Sequence, residues 1–336
     1  MAAWYGKAPR AELERGGEGY PACLEDLEDP PERLYVMGDA GVLGEPSLSV
    51  IGARKATPYG ESVATLAGRV AAECDIVMVS GGAIGCDSAA ARGALAAGVR
   101  TVVVSGCGAD LVYPPQSQDV FEMAVRRGGA VVSLDPWGVP PRRFSFPKRN
   151  RVIAALSQSV LIAEAGERSG TMSTAQVANQ IGRDLYAVPG SIFSPESVGT
   201  NRLIGEGAYI ITSERDLEAR ISLDYGVLRL AREGGPLRLE GRVLSSLVAE
   251  PMRADDLARH IESSPLDVIS ALSDYESRGV VCRLPDGRFS LTAETYLAHD
   301  RMCERHAAEL SGVEGGAGGS RDGAARGGGR GDAWLT

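Results

Sequence analysis

From residue 47 onward, short runs of consecutive apolar residues alternate with longer segments in which apolar side chains recur at helical spacing. The runs at 48–52, 76–80, 101–105, 130–134, 159–164 and 185–189 predict strands, and helices are predicted over 58–73, 87–97, 117–127, 148–157 and 172–182. Thr57-Pro58 supplies a capping hydroxyl and a proline suited to a first helical turn, and Gly98 supplies a stop. Strands apolar at every position, joined by helices, belong to a parallel sheet buried on both faces. The pattern therefore predicts an α/β protein with a Rossmann-like sheet over 47–222.

The flanks read differently. Residues 1–46 contain Tyr20-Pro21, Asp29-Pro30-Pro31 and Gly38-Asp39, and predict an irregular lead-in with short extended pieces. Past 222 the strand and helix rhythm stops, and 223–238, with Glu233-Gly234-Gly235-Pro236, predicts a linker. Residues 239–299 predict a small winged-helix-like unit. It has helices near 240–249, 254–261 and 265–277, then strands at 280–284 and 288–292 around a Pro285-Asp286-Gly287 turn. Residues 300–336, rich in Gly, Ala and Arg, predict a disordered tail.

A length of 336 residues suits one sizeable domain with an appendage. The six cysteines are scattered without a Cys-x-x-Cys pair, which predicts reduced thiols and no metal site. The first twenty residues lack an apolar targeting core and no later run has membrane-spanning length, so a cytoplasmic protein without a membrane partner is expected. The net charge of −9 argues against a nucleic-acid partner only until it is located, because 47–222 holds 17 basic and 16 acidic side chains. Residues 142–151, Arg-Arg-Phe-Ser-Phe-Pro-Lys-Arg-Asn-Arg, place five cations and two aromatic rings in ten positions with no acid. Cations track phosphates and aromatic faces accept unstacked bases, a composition suited to a single strand. A solvated basic loop is the plain alternative.

Four glycine-containing stretches fall where predicted strands end: Gly52-Ala53-Arg54-Lys55, 81–87, Gly106-Cys107-Gly108 and 166–171. Strand ends that face helix starts favour anions. None matches a Walker A loop, and Leu111 stands where a dinucleotide fingerprint has its third glycine, so ATP and NAD are not expected and no cofactor is assigned. Any one of these glycines is explained by a tight turn, whereas four loops at one sheet edge point to a phosphate-binding surface. Asp87 is expected to act as a helix N-cap.

Several of these residues form an ordered set over roughly 20–212: Gly52-x-Arg54-Lys55, Ser80-Gly81-x-Ala83-x-Gly85-x-Asp87, Gly106-Cys107-Gly108 with Tyr113-Pro114, Phe146-Pro147-x-Arg149-Asn150-Arg151, Ser169-Gly170-Thr171 and Val188-Pro189-Gly190-Ser191-Ile192-Phe193. This set resembles the DNA-processing family called DprA or Smf. The resemblance implies a homodimeric, non-enzymatic Rossmann-like protein that binds single-stranded DNA, protects incoming strands in natural transformation and helps load RecA. Carried onto matching positions, the strand-binding residues are Arg54, Phe146, Arg149 and the Ser169-Gly170-Thr171 turn. Lys148 and Arg151 add charge, and Lys55 and Asn150 from the same motifs complete the set. No catalytic residue is implied. Two positions depart from the family pattern: Ile84 replaces an arginine and Ala91 a histidine, which removes a cation from the 81–87 loop.

Two other functions compete. Rossmann-like hydrolases of nucleoside monophosphates (phosphoribohydrolases) need a glutamate in a Gly-Gly-x-Gly-Thr-x-x-Glu loop, and here Thr174 stands three residues after Thr171. A module that senses a small nucleotide at the same edge differs from a strand binder in its preference for mononucleotides over oligo-dT. In the C-terminal unit, residues 264–277 carry Asp267, Asp274 and Glu276 with no Lys or Arg. A third helix that enters a DNA groove needs cations, so a protein-contact or regulatory role is expected for this unit.

Overall fold

A computed structural model describes residues 8–167, 169–227, 242–261 and 263–297. Nine strands form one sheet: β1 (Arg10–Glu14), β2 (Arg33–Gly38), β3 (Ser47–Ile51), β4 (Val77–Ser80), β5 (Thr101–Ser105), β6 (Ala130–Ser133), β7 (Ser159–Ile162), β8 (Asp184–Ala187) and β9 (Tyr209–Ile210). Their order is β1-β2-β6-β5-β4-β3-β7-β8-β9. The strands from β6 to β9 in that order are mutually parallel, and β1 and β2 add on antiparallel at one side.

Why every core strand reads as continuously apolar is explained by the two faces. Leu48, Val50, Met78, Val103, Val131, Leu161 and Tyr186 enter one buried layer, beneath α1 (Pro58–Glu73), α2 (Cys86–Ala97), α3 (Gln118–Arg126) and α7 (Glu214–Tyr225). Their strand neighbours Ile51, Val79, Val104, Val132, Val160, Ile162 and Ala187 enter the opposite layer, beneath α4 (Ser145–Leu156), α5 (Gly170–Gln180) and α6 (Val198–Gly205). Period-two alternation thus splits one apolar run between two cores. The α/β, Rossmann-like class expected from the sequence is the observed one.

Two expected boundaries shift. The lead-in contributes β1 and β2 to the same sheet, with Leu13, Leu34, Val36 and Met37 buried. Alternating charges hide β1 in the sequence, since Arg-Ala-Glu-Leu-Glu is the composition of an edge strand whose outer side faces water. Arg33 of β2 pairs there with Glu12 at 3.1 Å and Glu14 at 2.5 Å. At the other end, residue 222 falls inside α7, whose last residue, Tyr225, donates from its hydroxyl to the Ser47 carbonyl at 2.8 Å. The rest of the expected linker, 228–238, and the tail 300–336 lie outside the described residues.

The C-terminal unit contains α8 (Arg242–Ala249), α9 (Ala254–His260), α10 (Pro265–Ser277) and the antiparallel pair β10 (Val281–Arg283) and β11 (Phe289–Leu291). Leu244, Leu247, Leu257, Val268, Leu272, Val281 and Leu291 form its own core. It meets the sheet domain at α1, where Ser62 Oγ donates to the Ala293 carbonyl at 3.1 Å and Tyr59 packs edge-on to Tyr296. Among the described residues no helix is long and apolar enough to cross a membrane.

Helices α1 and α2 cross so closely that a Cβ on Gly68 would run into the Ala90 carbonyl, and one on Gly93 into the Thr65 carbonyl. In an open helix Gly→Ala would stabilise by up to about 1 kcal/mol. Gly68→Ala is instead expected to cost about 1–3 kcal/mol by overpacking. Urea unfolding checks this, and a midpoint at or above that of the parent would contradict the close crossing.

Candidate nucleic-acid interface

Strand order reverses next to β3. The chain runs β3, β4, β5, β6 toward one side of the sheet, and β7, β8, β9 toward the other. The loops leaving β3 and β7 therefore diverge and open a crevice at their C-terminal ends, the place where open α/β sheets bind ligands. An open pocket of about 900 Å³ lies there, lined by Gly52–Lys55 after β3, by Ala83 and Asp87 after β4, by the start of α4, and by Gly166 and Ser169–Thr171 after β7.

The local sequence makes each wall. Ser169 caps α5, its hydroxyl accepting from Thr171 N at 3.2 Å, and Thr171 Oγ1 donates to the Gly52 carbonyl at 2.9 Å, tying the two diverging loops together. Helix α4 begins at Ser145, so Phe146, Pro147 and Lys148 occupy its first turn. Backbone N–H groups have no helical acceptor there, and proline is tolerated.

Eight of the ten expected site residues line this pocket: Arg54, Lys55, Phe146, Arg149, Asn150, Ser169, Gly170 and Thr171. Arg54 and Lys55 are exposed, and Phe146 is half-buried. Phe146 sits within 5.3 Å of the Arg54 guanidinium and 5.8 Å of the Tyr113 ring, measured from its ring centroid. Gly106 makes room for it, because a Cβ there would fall 2.6 Å from the ring. The other two expected residues point elsewhere. Lys148 is exposed with its ammonium 5.8 Å from the Phe144 ring, and Arg151 donates to the Asp29 carbonyl at 2.7 Å. Tyr113 and Arg143 also line the pocket without having been singled out. Their signals were in the sequence, one following the Gly106-Cys107-Gly108 turn and the other in the basic run.

Arg149, one of the residues that the resemblance assigns to strand binding, is only 3% exposed. Its Nη1 donates to the Val104 carbonyl at 2.6 Å and to the Gly81 carbonyl, and its Nε donates to Asn150 Oδ1 at 3.1 Å. Burial pushes its pKa down to about 10, against the attraction of Asp87 and with the help of repulsion from Arg54. The guanidinium forms the pocket floor, and the exposed cations are Arg54, Lys55 and Arg143.

Asp87 likewise differs from its expected role. Gly85, at φ 83°, precedes α2 as its cap residue, and the Asp87 carboxylate accepts from Gly81 N at 3.1 Å and Gly52 N at 3.4 Å. Burial raises its pKa, while Arg149 and the backbone donors of Gly52, Ala83 and Gly81 oppose the rise. It is the only carboxylate among the described residues lining the pocket, and Thr174 is buried at the position where a phosphoribohydrolase would carry another. Among the described residues no cluster of three or more His, Cys, Asp or Glu side chains could hold a metal ion.

The family described as DNA recombination-mediator protein A matches residues 13–222. The chain belongs to that family. Protein Smf of Escherichia coli (strain K12) is 31% identical over 278 residues, covering 80% of this chain and 74% of the relative. The X-ray structure of DNA processing protein A from Streptococcus pneumoniae superposes with a TM-score of 0.58 at 36% identity, over 64% of this chain and 75% of that one. A structure of DNA processing protein A from Helicobacter pylori, described for its unique single-stranded DNA binding mode, gives a TM-score of 0.58 at 33% identity, over 65% of this chain and 98% of that one. The matched segment of the family includes every residue that lines the pocket.

For this family member the two arginines are expected to separate in stability measurements. Arg149→Ala removes the donor to the buried Gly81 and Val104 carbonyls and should cost about 1–3 kcal/mol, whereas exposed Arg54→Ala should change stability by about 0.5 kcal/mol or less. Chemical denaturation of both variants checks this, and equal effects would contradict the assignment of Arg149 to the floor.

Proposed function

We propose that this chain binds single-stranded DNA in the pocket between the β3 and β7 loops. In this role it would protect incoming strands and help load RecA during transformation or recombination. The observation that carries the reading is the pairing of exposed Arg54 and Lys55 with half-buried Phe146 in one open crevice. The cations would neutralise consecutive phosphates, Phe146 would stack on an unpaired base, and the Ser169–Thr171 turn would offer backbone and hydroxyl donors. Lys148 and Arg151 would act from outside the pocket by charge alone. Asp87 is engaged by two backbone N–H groups, which disfavours a role as a catalytic carboxylate. The solved Helicobacter pylori relative is described as binding single-stranded DNA, which supports the same ligand here.

The proposed assembly is a homodimer, in which one long strand engages two linked sites with added avidity. The C-terminal unit is assigned a protein-contact or regulatory role, because α10 exposes Leu266 and Ile269 and has no Lys or Arg.

Fluorescence anisotropy with oligo-dT across a salt titration tests the ligand. Arg54→Ala and Lys55→Ala should each weaken binding and flatten the log-log salt slope by about 0.7. Phe146→Ala should cost about 1–3 kcal/mol of binding with the slope nearly unchanged. Mononucleotides that bind as tightly as oligo-dT, or folded variants that bind like the parent, would overturn the proposal. Light scattering should find a dimer at tens of micromolar, and monomer alone, with and without DNA, would exclude the proposed assembly.

A further inference from the structure

Glu164 follows β7 and is 3% exposed, outside the pocket that its neighbours line. It accepts three hydrogen bonds, all from the loop that follows β3. Its backbone carbonyl accepts from Ala53 N at 2.8 Å. Its carboxylate accepts from Thr57 N at 2.8 Å through Oε2 and from Thr57 Oγ1 at 2.5 Å through Oε1. One residue thus grips both ends of a five-residue segment whose interior holds Arg54 and Lys55. Thr57 is also the cap of α1, its hydroxyl accepting from Gly60 N at 3.2 Å, so the same carboxylate fixes where that helix begins. Gly60 is required for this approach, since a Cβ there would lie 2.7 Å from the carboxylate carbon. The loop backbone is pressed from the other side as well, where a Cβ at Gly85 would meet the Arg54 carbonyl at 2.8 Å.

We propose that Glu164 is a positioning residue for strand binding, clamping Ala53 and Thr57 so that Arg54 and Lys55 are presented to phosphate already ordered. This rests on the single-stranded DNA reading above. A loop that is ordered before binding avoids part of the entropy loss on association. The two carboxylate contacts are charge-assisted and sheltered from water, which makes them effective clamps. The role is distinct from phosphate contact, because Glu164 is anionic and does not line the pocket.

The test uses the full chain and oligo-dT. Glu164→Gln keeps the shape, but its amide nitrogen cannot accept a hydrogen bond, so one of the two Thr57 donors loses its partner. Binding is expected to weaken by about fivefold, the scale of one or two side chains ordered on association, and the salt slope should fall by about 0.7 or more as phosphate contacts become intermittent. Thr57→Val, which removes the hydroxyl, should act in the same direction, and Thr57→Ser should restore parental affinity and slope. In an Arg54→Ala/Lys55→Ala background Glu164→Gln should have no further effect on binding, because the side chains it positions are gone. If Glu164→Gln fails to fold, the Thr57→Val and Thr57→Ser pair carries the same comparison. A lower melting temperature with unchanged affinity and slope would show a purely structural role and overturn the proposal. If instead the parent does not bind oligo-dT, or Arg54→Ala/Lys55→Ala binds like the parent, the DNA reading itself fails and this proposal falls with it.

Discussion

Two buried opposite charges, Arg149 and Asp87, hold together the C-terminal edge of the sheet. Arg149 comes from α4 and reaches carbonyls at the ends of β4 and β5, and Asp87 comes from α2 and reaches N–H groups that follow β3 and β4. Both crowd the empty side of Gly81, where a Cβ would strike each of them. Burying two charges is costly unless each is paired and hydrogen-bonded, and here the backbone ends of three strands supply the partners. Such a pair contributes less to net stability than to geometry, because a displaced loop leaves a charge without its partners. The spacing of the pocket walls follows from that condition.

A division of labour among the cations results. The Arg149 guanidinium is hydrogen-bonded within the protein, and the exposed cations that line the pocket are Arg54, Lys55 and Arg143. Phe146 lies at the junction, near both the Arg149 and Arg54 guanidiniums. Phe146 remains half-buried beside them, so part of its ring surface is open. The diverging loops themselves are joined by a neutral contact, Thr171 to Gly52, and a charge-assisted one, Glu164 to Thr57, both set back from the exposed cations. Glu164 is also a buried carboxylate whose pKa burial raises, while its bonds from Thr57 oppose the rise.

The C-terminal unit packs against α1 a few residues beyond the Arg54–Lys55 loop, through Ser62, Tyr59 and Tyr296. Tyr59 also donates to the Pro189 carbonyl at 2.7 Å, so the start of α1 is shared among the β3 loop, the β8 loop and the C-terminal unit. The segment 239–299 holds 6 basic and 10 acidic side chains, opposite in balance to the pocket. Its negative field lies next to a cationic site without forming one of its walls, an arrangement that acts on approaching anions over roughly a Debye length of 8–10 Å.

The sequence by itself determined the α/β class, the core strands and the helices between them, since apolar runs and helical spacing are local signals of burial. It also indicated three of the loops that line the pocket, 52–55, 81–87 and 166–171, because helix caps and strand-end glycines are written in adjacent residues, whereas Gly106-Cys107-Gly108 lies outside the lining. It concealed β1, whose charges belong to an edge strand and whose pairing with β2 is settled by contact across twenty residues of chain. Only the tertiary structure decided which cation of the basic stretch faces inward. Arg149 and Arg151 are two residues apart on one helix, so they point about 200° apart around its axis. One therefore enters the floor and the other reaches the Asp29 carbonyl. Composition counts the two as equal, and their difference comes from what α4 packs against. Asp87 and Glu164 became structural anchors for the same reason: the backbone N–H groups they satisfy belong to loops brought beside them by the reversal of strand order at β3 and β7.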